Sequence, residues 1–382
     1  MLGLVLEGGG AKGAFHIGAL KALFERGFQF AGVAGTSIGA LNGAMVAQGD
    51  FDKCYDFWQT VTPSTLLDID DAKIDSIFSD AKIQVKEIPY FIGLAKTAIT
   101  NKGISIQRLE DIVNNLIIED KIRKSNIDFG IITVDITSDW LPIEIFKDQM
   151  PAGMLKKYVL ASAYYPAFRR PRIDGRVFID GGIYDNCPVN PLIRRGGYKK
   201  IIVISTLSKM PARRVADKSV KVDYIIPSKP LGNTLDLRNK NILGNLKLGY
   251  YDAVRYLDNL MGEKFYFKNV TNSYVYNLIE SQQSNFFVNL STLFSEKGNK
   301  KALTTRLFKE MKGFLKLDKA LNDAEVFLKT IEFLADDNKI EKFQIYSIET
   351  FLKEMEISDK YKKNTINPVV QAIQLLINAY RS

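Results

Sequence analysis

The pentapeptide Gly35-Thr36-Ser37-Ile38-Gly39 puts a hydroxyl where the backbone is free to turn sharply. A serine between two glycines at a strand-to-helix corner is a nucleophile elbow: the glycines remove side-chain clashes, and the strained turn presents the serine oxygen with helix amides beneath it. Upstream, Gly8-Gly9-Gly10-Ala11-Lys12-Gly13 leaves several N–H groups unobstructed ahead of a helix, an arrangement that attracts negative charge. The run satisfies G-x-G-x-x-G through Gly8, Gly10 and Gly13. A dinucleotide site also wants an acidic residue at the end of the second strand, where this chain has Gly35-Thr36-Ser37. A Walker loop is excluded, because its G-x-x-x-x-G-K-S/T pattern is absent.

A serine nucleophile needs a base, and the chain of 382 residues has a single histidine, His16. His16 falls inside the first expected helix, beside the apolar Ile17, and is read as a packing or hydrogen-bonding residue. The base is then a carboxylate. An aspartate titrates near 4 and is a poor base toward a hydroxyl, so its site must be dry and the developing oxyanion well stabilised. Asp180 ends a short apolar strand and is followed by Gly181-Gly182, which lets the backbone bend around a lone carboxylate. Asp135 also ends a strand but leads into a polar turn, and Asp185 sits beside Asn186 as a turn or capping residue. Glu7 borders the glycine loop and is the competitor. Asp180 is favoured over it for the geometric role such a base must fill.

The elements that must carry these residues are legible in the hydrophobic pattern. Leu2–Leu6 is a continuous apolar run, the mark of a buried parallel strand, and Ala14–Phe24 places Ile17, Leu20 and Phe24 at helical spacing. A second strand, Phe30–Ala34, leads through the elbow into a small-residue helix over Ala40–Gln48. Leu109, Ile112, Val113, Leu116 and Ile117 mark an amphipathic helix, while Phe129–Ile136, Leu141–Phe146 and Lys200–Ser205 read as strands. Asp174-Gly175 turns a hairpin between Pro171–Ile173 and Arg176–Ile179, delivering Asp180 at its exit. Tyr224–Pro227 reads as a short returning strand. Strands alternating with helices imply an α/β fold, a mostly parallel sheet covered by helices on both faces. After about Ser205 the composition shifts. Residues 208–217 read as an excursion loop, and helix patterns dominate from Leu235, including the stripe Ala324, Phe327, Leu328, Ile331, Leu334 and a capped start at Asn367-Pro368.

In this order, the Gly8–Gly13 loop, the Gly35–Gly39 elbow and the Asp180-Gly181-Gly182 triplet resemble the patatin-like phospholipase family. Ala161-Ser162-Ala163 through Pro166 and Asp185-Asn186-Cys187-Pro188-Val189 also match, and Gly249-Tyr250-Tyr251-Asp252-Ala253 resembles bacterial members. The resemblance implies Ser37 as nucleophile, Asp180 as proton acceptor, and an oxyanion hole from Gly8, Gly9 and Gly10, with the latter two foremost. Ala11, Lys12, Gly13, Gly35, Gly39, Gly181 and Gly182 support the motifs. Lys12, at the family's usual basic position, would hold the loop or steer an anionic head group. The implied reaction is acyl hydrolysis of lipid esters with no cofactor or metal. The expected layout is a catalytic core over 1–205, its completion over 206–270, and a helical C-terminal appendage over 271–382.

Composition bounds the setting. Cys54 and Cys187 are too few for a disulfide framework and fit a reducing compartment. Leu2 enters a strand-like run with no basic n-region or cleavage site ahead of it, so no secretory signal is read. No apolar stretch reaches the roughly 18 residues of a spanning helix. The expectation is therefore a cytoplasmic protein acting on a lipid or membrane-surface substrate, peripheral to the bilayer. The net charge of +9 concentrates in residues 201–300, with 14 basic against 8 acidic residues, yet scattered lysines fit a solvated face, and no nucleic-acid partner is expected. The C-terminal helices would cap the site, bind a regulator or join two copies into a homo-oligomer. The apolar Ile88–Ile99 reads as a buried helix, with a membrane-touching flap as its alternative. An acyltransferase shares every motif. A nucleotide-binding module and an interaction protein with a vestigial site are the readings from other classes.

Overall fold

Leu2-Gly3-Leu4-Val5-Leu6 contains no polar residue that could mark a wet face, and it forms the inner strand β1 (Leu2–Leu6). It pairs in parallel with β2 (Gly32–Thr36) on one edge and β7 (Lys200–Ile204) on the other. The structure is a computed structural model; it describes residues 1–66, 105–137, 139–166, 168–207, 214–268, 270–318, 320–362 and 367–381. The Ile88–Ile99 segment and most of the expected excursion loop lie outside them. The chain divides into two compact units, Met1–Ala253 and Val254–Ser382.

The first unit is built on one sheet in the order β5-β6-β3-β2-β1-β7-β8, with β4 attached to β3. Here β3 is Asp128–Asp135, β4 Leu141–Phe146, β5 Arg172–Ile173, β6 Arg176–Asp180 and β8 Lys221–Ile225. The β1–β2, β1–β7, β2–β3 and β7–β8 pairs are parallel, and only the two hairpin strands, β4 and β6, run against β3. Both faces are covered. Val5, Ala34 and Val203 pack with Val189 and Leu192 of the helix Val189–Arg195 on one side. On the other, Gly43 of helix α2 (Ile38–Gln48) lies against Val33, Leu6 and Phe129. Burying each such Val or Leu fully is worth about 1.5–3 kcal/mol, so the two-sided apolar strands specify the sheet without needing an alternating pattern.

Strand β2 begins two residues later than the apolar signal at Phe30 suggests. Phe30 is buried because the loop packs its ring edge-on to Phe24 of α1 (Gly13–Glu25), while pairing on β1 starts at Gly32. Strand β8 begins earlier, at Lys221. As an edge strand with only one neighbour it is half-exposed, and its apolar signal is correspondingly weak.

One detail of register decides where chemistry can happen. Strand β2 runs beside β3 until Thr36 stands opposite Ile132, and β4 occupies the other edge of β3 along residues 130–135. The remaining edge of β3 beyond Ile132 is filled by β6, antiparallel, with Asp180 opposite Thr133. Strands β2 and β6 therefore meet end to end on one edge of β3, and the residue following each chain end belongs to a single junction.

The second unit has its own apolar core, in which Ala324, Phe327, Leu328, Ile331 and Leu334 of helix Asp323–Leu334 are all buried. That helix starts with a capping box between Asn322 and Glu325, and helix Pro368–Arg381 starts with the Asn367 side chain accepting from Val369 N at 2.9 Å. A two-residue parallel ladder, Tyr266–Phe267 with Ile345–Tyr346, interrupts an otherwise helical unit. Among the described residues no helix is long and apolar enough to cross a membrane.

Candidate active site

Ser37 occupies the corner between β2 and α2 with φ 56° and ψ −124°, a conformation that costs a non-glycine residue on the order of 1–3 kcal/mol. The surroundings enforce it. A Cβ on Gly39 would come within 2.1 Å of the Leu6 carbonyl oxygen, so only glycine lets α2 start this close to the end of β1. The Ser37 amide donates to Ser162 Oγ at 2.9 Å, and Ser162 in turn donates to the Ile132 carbonyl at 2.6 Å. Ser162, the last residue of helix Leu155–Ser162 and fully buried, thus ties the elbow to the strand against which both chain ends abut.

Asp180 is the last residue of β6, 6% exposed, with its amide donating to the Tyr164 carbonyl at 2.9 Å. Its Oδ1 accepts from Gly182 N at 2.7 Å, and the Ser37 hydroxyl lies near enough to the carboxylate to favour its charged form. Burial disfavours the charged form strongly enough to raise its pKa above the ordinary carboxylate value, against the Ser37 hydroxyl and the Gly182 N–H, which lower it. A carboxylate so placed holds a proton more readily than one in water.

The glycine loop follows β1 at the same end of the sheet. Gly10 has φ 56°, and a Cβ there would lie 2.3 Å from the Thr234 carbonyl oxygen, which already accepts Ala11 N at 2.8 Å. Gly8 departs from the expected oxyanion trio: its N–H donates to the Asn186 carbonyl at 2.9 Å and is occupied. Among the hydrogen bonds of the described residues none uses the N–H of Gly9 or Gly10. Gly8, Gly9, Gly10, Lys12, Ser37, Asp180 and Gly182 line one open cavity together with Tyr165, Asn186, Thr206, Leu207 and Thr234. Ser37 also lines a second, mostly apolar cavity with Ile38, Leu41, Trp58, Leu109 and Phe168.

The other titratable candidates have separate work. Glu7 is buried, its Oε2 accepting from Ser205 Oγ at 2.5 Å and Thr206 N at 2.8 Å, with Asn186 Nδ2 3.4 Å from Oε1. It fastens the end of β1 to the turn after β7. His16 is fully buried in α1, 3.4 Å from Asn42 Nδ2, and loss of hydration lowers its pKa to about 3, so the ring is neutral. It does not line the cavity with Ser37. The Asp135 carboxylate is held by Thr137 at 2.9 and 2.6 Å and by Arg176 at 2.5 Å, and Asp185 Oδ1 caps Cys187 N at 3.2 Å.

Four residues of this neighbourhood carry no signal of their own in the sequence: Ser162, Asn186, Thr206 and Thr234. Thr206 Oγ1 donates to the Gly8 carbonyl at 2.5 Å, and Asn186 Nδ2 to the same oxygen at 3.2 Å. Two of them fall in stretches that stood out only by resemblance, Ala161-Ser162-Ala163 and Asp185-Asn186-Cys187.

Residues 4–193 match the family model described as Patatin-like phospholipase. An uncharacterised NTE family protein of Mycobacterium tuberculosis is 26% identical over 226 residues, 58% of this chain and 54% of that protein. Patatin-like phospholipase domain-containing protein 6 of Homo sapiens is 28% identical over 212 residues, 54% of this chain and 14% of that protein. The chain thus spans about half the length of the first of these relatives and far less of the second. The crystal structure of VipD from Legionella pneumophila aligns with 99% of this chain and 85% of its own, at 15% identity and a TM-score of 0.39. The matched span opens within β1 and closes within the helix after Asp180, enclosing the strand junction and both chain ends that meet there, and on this ground the chain belongs to the patatin-like phospholipase family.

Proposed function

We propose that the protein is a serine lipid acyl hydrolase in which Ser37 is the nucleophile, Asp180 the base, and the N–H groups of Gly9 and Gly10 the oxyanion donors. One observation carries the reading: Ser37 shares one cavity, rimmed by the glycine loop, with the buried Asp180, and also lines a second that is mostly apolar. A lipid ester has that division, an acyl chain on one side of the carbonyl and an oxygen-rich alcohol on the other.

The chemistry follows in two balanced steps. Asp180 accepts the Ser37 proton as Oγ adds to the ester carbonyl, and the oxyanion forms where the two glycine amides donate. Collapse expels the alcohol, which takes the proton from Asp180 and leaves an acyl-serine. Water then adds to the acyl-serine with Asp180 again accepting a proton; that proton returns to Ser37 as the carboxylic acid departs. Lys12, on the rim of the first cavity, gives that side a positive charge suited to a phosphorylated head group. Cys54 and Cys187, both free and buried, support a reducing, cytoplasmic setting.

The test is fatty acid release from phospholipid and neutral-lipid substrates, together with labelling by a fluorophosphonate. Wild type should release fatty acid and take the label on Ser37; Ser37→Ala should do neither while keeping its thermal transition. Equal turnover in both proteins would overturn the assignment, and an unlabelled, inactive wild type would leave only a vestigial site.

A further inference from the structure

The end of the sheet that carries Ser37 also carries five of the eight large apolar side chains exposed among the described residues of the first unit, the others being Met1, Ile118 and Leu243. Strand β3 continues three residues past the partner of Thr36, about 10 Å at roughly 3.3 Å per residue, so the β3–β4 hairpin rises beyond the level of the elbow. Its tip carries Trp140 and Leu141, each 58% exposed. Strand β6 begins beyond Asp135, and the β5–β6 turn at Asp174-Gly175 therefore rises beside it. Nearer the cavity, Tyr165, Ile183 and Leu207 line the mouth and are 40%, 49% and 43% exposed. A soluble substrate gives no reason to leave five such residues at one end of a sheet, since exposed apolar patches mark binding surfaces. The chain entering β5 adds cationic groups: residues 165–177 hold four arginines, at 169, 170, 172 and 176, against Asp174. Arg176 is paired with Asp135, while Arg170 and Arg172 donate to the backbone carbonyls of Pro166 and Gly175 and bring positive charge to this rim.

We propose that this end of the sheet is a bilayer-docking face, in which Trp140 and Leu141 enter the interface of a phospholipid membrane, the arginine run meets anionic head groups, and Tyr165, Ile183 and Leu207 continue the apolar contact to the cavity mouth. The proposal rests on the lipid-hydrolase reading, because its occupant is identified by continuity with that cavity. A lipid could then leave the bilayer for Ser37 without crossing a layer of water. Interfacial side chains of this kind, aromatic with apolar neighbours and basic at the edge, bind by buried area plus attraction to anionic lipid.

The two tryptophans make the test direct. Trp58 is fully buried but lines the apolar cavity, so the part of a vesicle-dependent emission change that a Trp140→Phe variant loses is the part that reports Trp140. Full-length Ser37→Ala protein, which cannot consume the lipid, is titrated with phosphatidylcholine vesicles with and without phosphatidylglycerol and with bromine-labelled acyl chains. Docking predicts a blue shift and bromine quenching. Trp140→Ser/Leu141→Ser should bind either vesicle about tenfold more weakly. Arg170→Glu/Arg172→Glu should lose about fivefold per arginine on the anionic vesicles only, an effect that fades in high salt. Made in the Ser37 background, both pairs should still turn over a water-soluble p-nitrophenyl ester at wild-type rate, which separates the surface from the dyad. Unchanged Trp140 emission, or vesicle binding by the tryptophan–leucine variant equal to that of its parent, would overturn the docking face even with ester hydrolysis intact; loss of ester turnover in wild type would instead strike the hydrolase reading.

Discussion

In the proposed mechanism Asp180 must do two opposed things: remain charged enough to take a proton from Ser37, and sit in a place that disfavours charge. Its raised pKa, caused by burial, has consequences in activity and in stability. Turnover should fall on the acid side as pH drops through the raised value, with the limb displaced above the ordinary aspartate pKa of about 4; a limb at or below that value in a kcat/KM–pH profile would argue that a different group is the base. For stability, the folded state binds the proton more readily than the unfolded one, so stability declines as pH rises from the unfolded to the folded pKa, and the penalty is complete once pH has passed the latter. Asp180→Asn keeps an acceptor for Gly182 N and removes the buried charge. It should lose about 10²- to 10⁴-fold in kcat/KM and melt at a higher temperature than wild type near pH 7. Ser162 acts through Ser37 rather than on substrate. Ser162→Ala leaves the Ser37 amide without its acceptor at the strained corner, and should cost about 1–3 kcal/mol in denaturant unfolding while lowering kcat more than it raises KM.

At the scale of elements, the site is a meeting of chain ends: β1 with its glycine loop, β2 with the elbow, and β6 arriving from the opposite direction. Glu7 belongs to this level. It binds the end of β1 to the Ser205-Thr206 turn after β7, so Glu7→Gln should destabilise the fold by about 1–3 kcal/mol through a mismatched buried hydrogen bond yet keep ester turnover within a few fold. Abolished turnover in a still-folded Glu7→Gln protein would return Glu7 to contention as the base. The same level explains what the amino-acid order reveals beforehand. Ser37, Gly39, Gly10 and Asp180 announce themselves because backbone turns restrict which residues they admit, and those restrictions are local. Ser162, Asn186, Thr206 and Thr234 work by reaching backbone atoms of segments far along the chain, as Thr206 reaches Gly8, and hydroxyls and amides of that sort occur in any loop. The occupied N–H of Gly8 was illegible for the same reason, since its acceptor is the carbonyl of Asn186. Phe30 misplaced the start of β2 because an apolar residue packed in a loop and one packed in a strand look alike in a five-residue window.

Over the whole molecule, each unit has its own apolar core. Phe327→Ala, which empties a fully buried ring site in the second unit, should cost that unit about 3–5 kcal/mol and lower one calorimetric transition, leaving hydrolysis of a soluble ester unchanged. A single transition that shifts as a whole would show the two units melting as one. The end-to-end meeting of β2 and β6 also has a consequence for the order of synthesis. Ser37 leaves the ribosome 143 residues before Asp180, the difference of their positions. At about 5–20 residues per second that interval is roughly 7–30 s. Throughout it the nascent chain holds a serine without its proposed base, and once β3 has emerged the edge that will receive β6 stays unpaired until β6 follows. On the proposed mechanism the protein is thereby inert while it is being made, and becomes competent only when the strand bearing its carboxylate closes the sheet.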